Sequence, residues 1–106
     1  MTPDRPGNYR LTPKAILDLE DIWRYTADNW SVDQAERYVD SLTGAFDTIA
    51  AMPEIARERL EFTPAVRIHV IGRHLIIYQV VADHVVIIRI LGASQDWAAI
   101  LALLDA

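Results

Sequence analysis

The hydrophobic period of this chain changes once, from about 3.6 residues to two residues. Up to Met52, apolar side chains recur every three or four positions, which is typical of amphipathic helices. From Val66 onward they alternate or run continuously in segments rich in valine and isoleucine, which is typical of strands. The charged segment from Pro53 to Pro64 shows neither pattern and is predicted to be a loop.

Two helices are predicted in the first half, and short capping motifs define their ends. Thr12-Pro13 can start the first, because threonine caps free amide groups and proline is tolerated at the first helical position. Ser31 and Gln34 have the spacing of a capping box, so the second helix should begin at Val32 and end before Pro53. The short break between them predicts an antiparallel helical hairpin.

The aromatic side chains Trp23, Tyr38 and Phe46 lie on the apolar stripes of these helices and are assigned to the core. Charged side chains lie largely on the other side of the first helix and are expected to be solvated: Asp18, Glu20, Asp21, Arg24 and Asp28.

The predicted fold class is α+β, with the helical hairpin packed on a mostly antiparallel sheet. A short strand at Tyr9–Leu11 precedes the helices. The second half of the chain predicts a three-stranded meander and then a short C-terminal helix that Ser94 can cap, the strands being Val66–Ile71, Leu75–Val81 and Val85–Leu91.

A register for the meander follows if both hairpins have two-residue loops, at Gly72-Arg73 and Asp83-His84. Arg67, Tyr78 and Arg89 then form one row on one face of the sheet. Two guanidinium groups beside a phenol suit a phosphate or a carboxylate, but a merely solvated face would look the same. The same face carries apolar residues that suggest a partner, and the almost entirely aliphatic opposite face is expected to pack on the helices. The apolar residues beside the row are Ile76, Val80, Val85, Ile87 and Leu91.

Several classes of site are excluded or disfavoured by composition. The absence of cysteine excludes disulfides, thiolate metal sites and cysteine nucleophiles. His69, His74 and His84 lack the spacing of a helical metal site, and no glycine-rich phosphate loop exists, so no metal or cofactor is predicted. The net charge of −5 weighs against binding nucleic acid through the overall field.

No apolar run approaches the roughly 20 residues of a membrane helix, and the N-terminus has no segment of signal-peptide type. We therefore expect a cytoplasmic protein without membrane contact. Residues 1–8 are expected to be a flexible lead to a single domain spanning 9–106.

The order of these motifs resembles the ParE toxins of the RelE/ParE superfamily, over roughly residues 9 to 97. The likeness rests on the segments 9–15, 18–25 and 34–38, on Met52-Pro53, and on Arg67, Tyr78 and Arg89-Ile90-Leu91. The resemblance implies the toxin of a type II toxin–antitoxin module, which inhibits DNA gyrase by binding. It also implies a ParD-like antitoxin with a ribbon-helix-helix domain, so that DNA is contacted only through the antitoxin.

For the binding sites, the resemblance and the predicted register together imply an antitoxin segment on the face that holds the polar row. The residues expected to contact the antitoxin are Arg67, Ile76, Tyr78, Val80, Ile87 and Arg89. Asp96 and Trp97 match the family's pattern at the C-terminal end of the likeness, and we expect them to contact the target.

Two alternatives remain open. A ribosome-dependent mRNA endonuclease of RelE type would use Arg67, Tyr78 and Arg89 as its catalytic residues. Gly92 stands where the family often has a histidine, and the chain is acidic, so the ParE branch is favoured. The second alternative is a degenerate toxin that is retained as an antitoxin-bound co-repressor.

Overall fold

The computed structural model describes residues 8–103. It contains a helical hairpin and a five-stranded sheet, and one short strand of the sheet precedes the hairpin. The predicted lead lies outside the described residues, apart from Asn8. In chain order the elements are β1 (Tyr9–Leu11), α1 (Pro13–Asn29), α2 (Val32–Ala51), a 3₁₀ turn (Pro53–Ile55), β2 (Glu58–Arg59), β3 (Val66–Ile71), β4 (His74–Val81), β5 (His84–Gly92) and α3 (Trp97–Ala102).

The capping motifs define both long helices as predicted. Thr12 Oγ1 accepts a hydrogen bond from the Ala15 N–H at 3.1 Å, and Ser31 Oγ accepts one from the Gln34 N–H at 3.0 Å. Thr12 Oγ1 also donates to the Ile88 carbonyl at 2.7 Å. The same side chain therefore starts α1 and ties it to β5.

The predicted α+β class is confirmed, and the sheet contains one strand that the sequence did not reveal. The strand order is β1-β5-β4-β3-β2, with β1 parallel to β5 and the other pairs antiparallel. In the segment predicted to be a loop, Glu58 and Arg59 pair with Arg67 and Val66 as β2. Two residues are too few to show an alternating pattern, so no sequence signal marked this strand.

The predicted register holds in the first hairpin and is wrong in the second. Arg67 lies opposite Tyr78, as the Gly72-Arg73 turn implies. The second turn is Ala82-Asp83, where Ala82 adopts a φ of 55°, and Tyr78 therefore lies opposite Ile87. A bulge next to Tyr78 then places Arg89 opposite Ile77, because a bulge adds one residue to one strand.

The prediction of which face meets the helices is also wrong. Ile76, Tyr78 and Ile87, from the supposedly open face, are fully buried in a core cluster with Phe46 and Ile49 of α2. On the opposite face, a second cluster joins the sheet to α3 and to the loop between β2 and β3. It contains Val66, Leu75, Ile77, Leu91 and Leu101, and Phe62 and Trp97 pack against it. Both faces are apolar because both are covered.

Among the described residues, none of the helices combines the length and the apolarity that crossing a membrane requires.

Candidate functional site

The predicted polar row does not form an open site. Tyr78 has no exposed surface, and its hydroxyl donates to the Pro53 carbonyl at 2.6 Å. Burial raises the pKa of this phenol, although the nearby Arg67 charge opposes the shift. Arg67 in turn donates from Nη1 to the Ala56 carbonyl at 2.6 Å. Tyr78 and Arg67 thus hold the segment after α2 against the sheet.

Arg89, the third member of the row, binds a carboxylate that was expected to be solvated. Its Nε and Nη2 donate to the two carboxylate oxygens of Asp18 at 2.8 and 2.9 Å, and Asp18 Oδ2 also accepts the Ile90 N–H at 2.9 Å. The side chains of Arg89 and Asp18 are only 19% and 13% exposed. Hydrogen bonding to Asp18 is the main cause that raises the pKa of Arg89.

The expectation that Asp18 faces solvent is therefore wrong, and the path of β1 explains why. β1 ends at Leu11, opposite Ile87. Beyond that point no strand of residues 8–103 pairs with this edge of β5, and the Asp18 carboxylate accepts the Ile90 N–H there. Helical periodicity cannot reveal such a partner, because it lies 72 positions away.

The residues predicted to contact the antitoxin do not share one surface. Ile76, Tyr78 and Ile87 are fully buried and belong to the core cluster that contains Phe46 and Ile49 of α2. Val80 is exposed, and Arg67 is half-buried. Both line an open cleft of about 330 Å³, together with Glu58, Ala65, Val66, Tyr78, Gln79 and Val81.

Asp96 and Trp97, the predicted target contacts, have structural roles at the start of α3. Asp96 Oδ1 caps this helix by accepting the Ala99 N–H at 3.4 Å, where Ser94 was expected to be the cap. Trp97 packs against Phe62, with ring centroids 6.1 Å apart, and is half-buried. Their contact with a target stays a prediction.

A second cleft, which the sequence reasoning missed, lies where the tip of the helical hairpin meets the β3–β4 turn. It has a volume of about 310 Å³. Two of its walls are Tyr25 and Trp30, which are 63% and 66% exposed and have ring centroids 6.4 Å apart. The residues that line it are Tyr25, Thr26, Trp30, Gln34, Tyr38, Gly72, Arg73 and His74. We call it the tip cleft.

The floor of the tip cleft is a chain of hydrogen bonds between α2 and the turn. The Arg73 N–H donates to Tyr38 Oη at 3.3 Å, and Tyr38 Oη lies 2.6 Å from Nδ1 of His74. Burial lowers the pKa of His74, and the nearby Asp18 charge only partly opposes this shift. When its proton is on Nε2, a neutral imidazole accepts a hydrogen bond from the Tyr38 hydroxyl at Nδ1, and the three groups then form one directed chain.

Gly72 allows the turn to approach this floor. Its φ is +56°, and a Cβ placed there would lie 2.9 Å from Tyr38 Oη. An L-residue is strained in this backbone region, and the contact leaves no room for a side chain. The available sequence signals were Trp30, one turn beyond the end of the α1 stripe, and a glycine directly before Arg73.

Within residues 8–103, the His, Asp and Glu side chains form no group of three that could hold a metal ion. The lining of the tip cleft instead combines aromatic rings, one guanidinium and one imidazole.

A family description, ParE toxin of the type II toxin–antitoxin system parDE, matches residues 9–97. The chain belongs to the ParE toxin family. It is therefore similar to toxins of type II toxin–antitoxin systems over nearly its whole described length, as the motifs predicted.

Named relatives agree with this ParE assignment. The chain is 39% identical over 91 residues to Toxin ParE1 of Mycobacterium tuberculosis, covering 85% of this chain and 93% of that toxin. It is 34% identical over 88 residues to Toxin ParE1 of Caulobacter vibrioides, covering 83% and 91% of the two chains.

The fold agrees as well. A solved structure described as the chromosomal ParDE TA system from P. aeruginosa superposes with a TM-score of 0.71. It covers 80% of this ParE chain and 94% of the other chain at 18% identity, a likeness that concerns the fold.

Proposed function

We propose that this ParE-family toxin inhibits DNA gyrase by binding to it and that a ParD-like antitoxin neutralises it. Membership of the ParE family over residues 9–97 is the observation that carries the proposal. Action in the cytoplasm belongs to the same proposal, because gyrase works on the chromosome there.

Inhibition by binding, without a catalytic centre, is the second element of the proposal. The state of the three residues that a RelE-type nuclease would use supports it. Tyr78 is fully buried on the Pro53 carbonyl, Arg67 binds the Ala56 carbonyl, and Arg89 binds Asp18. A general acid or base must reach the reacting atoms, and a phosphate must be held by free cations.

Supercoiling assays test the proposal directly. The supercoiling activity of purified gyrase on plasmid DNA is measured at increasing concentrations of toxin, which is added alone or premixed with a ParD-like antitoxin. We expect loss of supercoiling and accumulation of cleaved DNA with the free toxin, and neither effect with the complex.

Two other outcomes distinguish the alternatives. Undiminished gyrase activity, together with cuts in translated mRNA seen by primer extension, would establish the endonuclease. Absence of both activities, with growth unaffected by expression and with operator binding that requires the toxin–antitoxin complex, would establish the co-repressor.

A further inference from the structure

We infer that the tip cleft is where this toxin engages its target enzyme, and that it accepts a segment carrying an apolar or aromatic side chain next to a carboxylate. This inference rests on the proposed function and specifies the surface that carries it out.

The exposed aromatic residues of the chain are concentrated at this cleft. All nine Phe, Trp and Tyr residues lie within the described range. Tyr25 and Trp30 are the two whose side chains are exposed. A protein that inhibits by binding depends on a few anchor residues, and Trp, Tyr and Arg are the types most enriched among such anchors. Trp30, Tyr25 and Arg73 bring all three types to one cleft.

The cleft is also formed in the absence of a partner. The hydrogen bonds from Arg73 N–H to Tyr38 and between Tyr38 and His74 join the turn to α2. Gly72 allows the turn to approach so closely that no Cβ would fit. A preformed site avoids much of the ordering cost that binding would otherwise incur.

The charge of the lining selects the occupant. Arg73 is the formally charged side chain among the lining residues, it is exposed, and within the described chain it forms neither an ion pair nor a side-chain hydrogen bond. Among the described residues, no carboxylate lines the cleft. An unpaired guanidinium beside aromatic rings fits a carboxylate next to an apolar or aromatic side chain.

Single-stranded nucleic acid also binds aromatic rings beside arginine, but the surrounding charge disfavours it. Residues 13–51, which form the hairpin, contain eight acidic and three basic residues, whereas the rest of the chain contains seven of each. The entire net charge of −5 therefore lies on the hairpin whose tip borders the cleft. A phosphate backbone that crosses this surface would be repelled along its whole length, whereas a single carboxylate needs to approach only Arg73.

The test compares gyrase inhibition by matched variants. Trp30→Ala and Tyr25→Ala remove exposed rings while the backbone hydrogen bond from Trp30 N–H to the Thr26 carbonyl remains. Leu60→Ala is the control, because Leu60 is 76% exposed and does not line the cleft. Arg73→Glu is compared with Arg57→Glu, an exposed arginine on another part of the surface.

We expect the inhibitory concentration to rise about tenfold or more for Trp30→Ala and Arg73→Glu, as truncation of an interface anchor typically causes. Leu60→Ala and Arg57→Glu should inhibit as the parent toxin does. Affinity for the antitoxin, measured by calorimetry, should change less than about threefold in all variants, and thermal unfolding verifies that each variant is folded.

Several results would overturn the inference. If the parent toxin inhibits gyrase and Trp30→Ala inhibits equally well, the cleft does not bind the target. If antitoxin affinity falls as much as inhibition does, the cleft belongs to the antitoxin. Quenching of Trp30 fluorescence by an oligothymidylate at physiological salt, absent in Trp30→Ala, would assign the cleft to nucleic acid. A parent toxin that leaves gyrase unaffected removes the proposed function and this inference with it.

Discussion

Asp18 of α1 and Arg89 of β5 form a two-pronged ion pair across 71 positions of sequence, with Nε–Oδ2 and Nη2–Oδ1 distances of 2.8 and 2.9 Å. The same carboxylate binds the Ile90 N–H, so it joins a charged side chain and a strand edge at once. This contact fixes where α1 crosses β5. It also means that Arg89 contributes to the fold, so its substitution affects stability before it affects any partner.

Removing either partner of this pair should destabilise the protein. Asp18→Ala leaves the Arg89 guanidinium and the Ile90 N–H without a partner in a mostly buried place, so we expect a loss of about 1.5–3 kcal/mol. Urea denaturation measures it. Arg24→Ala breaks the exposed Asp21–Arg24 pair and should cost less than about 1 kcal/mol. Equal effects of both variants would contradict the structural role of Asp18.

Gly72→Ala and Gly44→Ala should have opposite effects on stability. At Gly72 the positive φ and the 2.9 Å approach of Tyr38 Oη make a Cβ costly, and we expect a loss of about 1 kcal/mol or more. At Gly44, inside α2, a Cβ meets nothing within 4 Å, so alanine should stabilise by about 0.5–1 kcal/mol. Guanidinium denaturation of the two variants decides whether their signs differ.

The stability of the protein should depend on the protonation of His74. Its pKa is lowered in the folded state, so the unfolded state binds the proton more readily. The stabilising contribution of neutral His74 to the free energy of unfolding is thus complete above the ordinary imidazole pKa of about 6.5 and is lost as the pH falls below it. We expect His74→Gln to flatten the dependence of the unfolding free energy between about pH 7 and 5.

His69→Gln serves as the control for this measurement, because His69 lies on β3 and does not line the tip cleft. Tyr38→Phe removes the hydroxyl that contacts His74, so it tests the same contact from the other partner. An unaltered slope in His74→Gln would show that His74 does not contribute to the pH dependence.

Tyr78→Phe should cost stability, because Pro53 loses a buried hydrogen-bond donor at 2.6 Å. A loss of about 0.5–1.5 kcal/mol is expected for a neutral hydrogen bond, more if the carbonyl stays unsatisfied. Thermal unfolding measures this change. The supercoiling assay on the same variant should show unchanged inhibition once the protein is folded, whereas a specific loss of activity would give Tyr78 a functional role.

The helices and their ends could be predicted from sequence because their signals are local. Thr12-Pro13 and Ser31 cap helices through contacts with residues three positions away, and the apolar stripe of α2 needs only its own period. The two-residue turn Gly72-Arg73 is also a local signal, so the register of the first hairpin could be predicted from it. The likeness to ParE toxins rests on these short motifs, and the family match confirmed it.

The covered face of the sheet could not be predicted, because alternation in these strands places apolar residues on both faces. Ile76 and Tyr78 face the helical hairpin, while Leu75 and Ile77 face α3, and all four are buried. The turn at Ala82-Asp83 and the bulge beside Tyr78 then moved Arg89 out of the predicted row. A one-residue shift of register moves a side chain to the other face, so a small local change has a large effect.

The sequence by itself thus determined the two long helices, the strands of the meander, their order and the family, since each depends on neighbours a few residues apart. Only the tertiary structure decided the partners of Asp18, Arg89 and Tyr78, and the assembly of the tip cleft from the hairpin and the β3–β4 turn. The physical reason is that these contacts join groups 25 to 72 positions apart. Their geometry depends on where whole elements pack, which no local pattern of residues specifies.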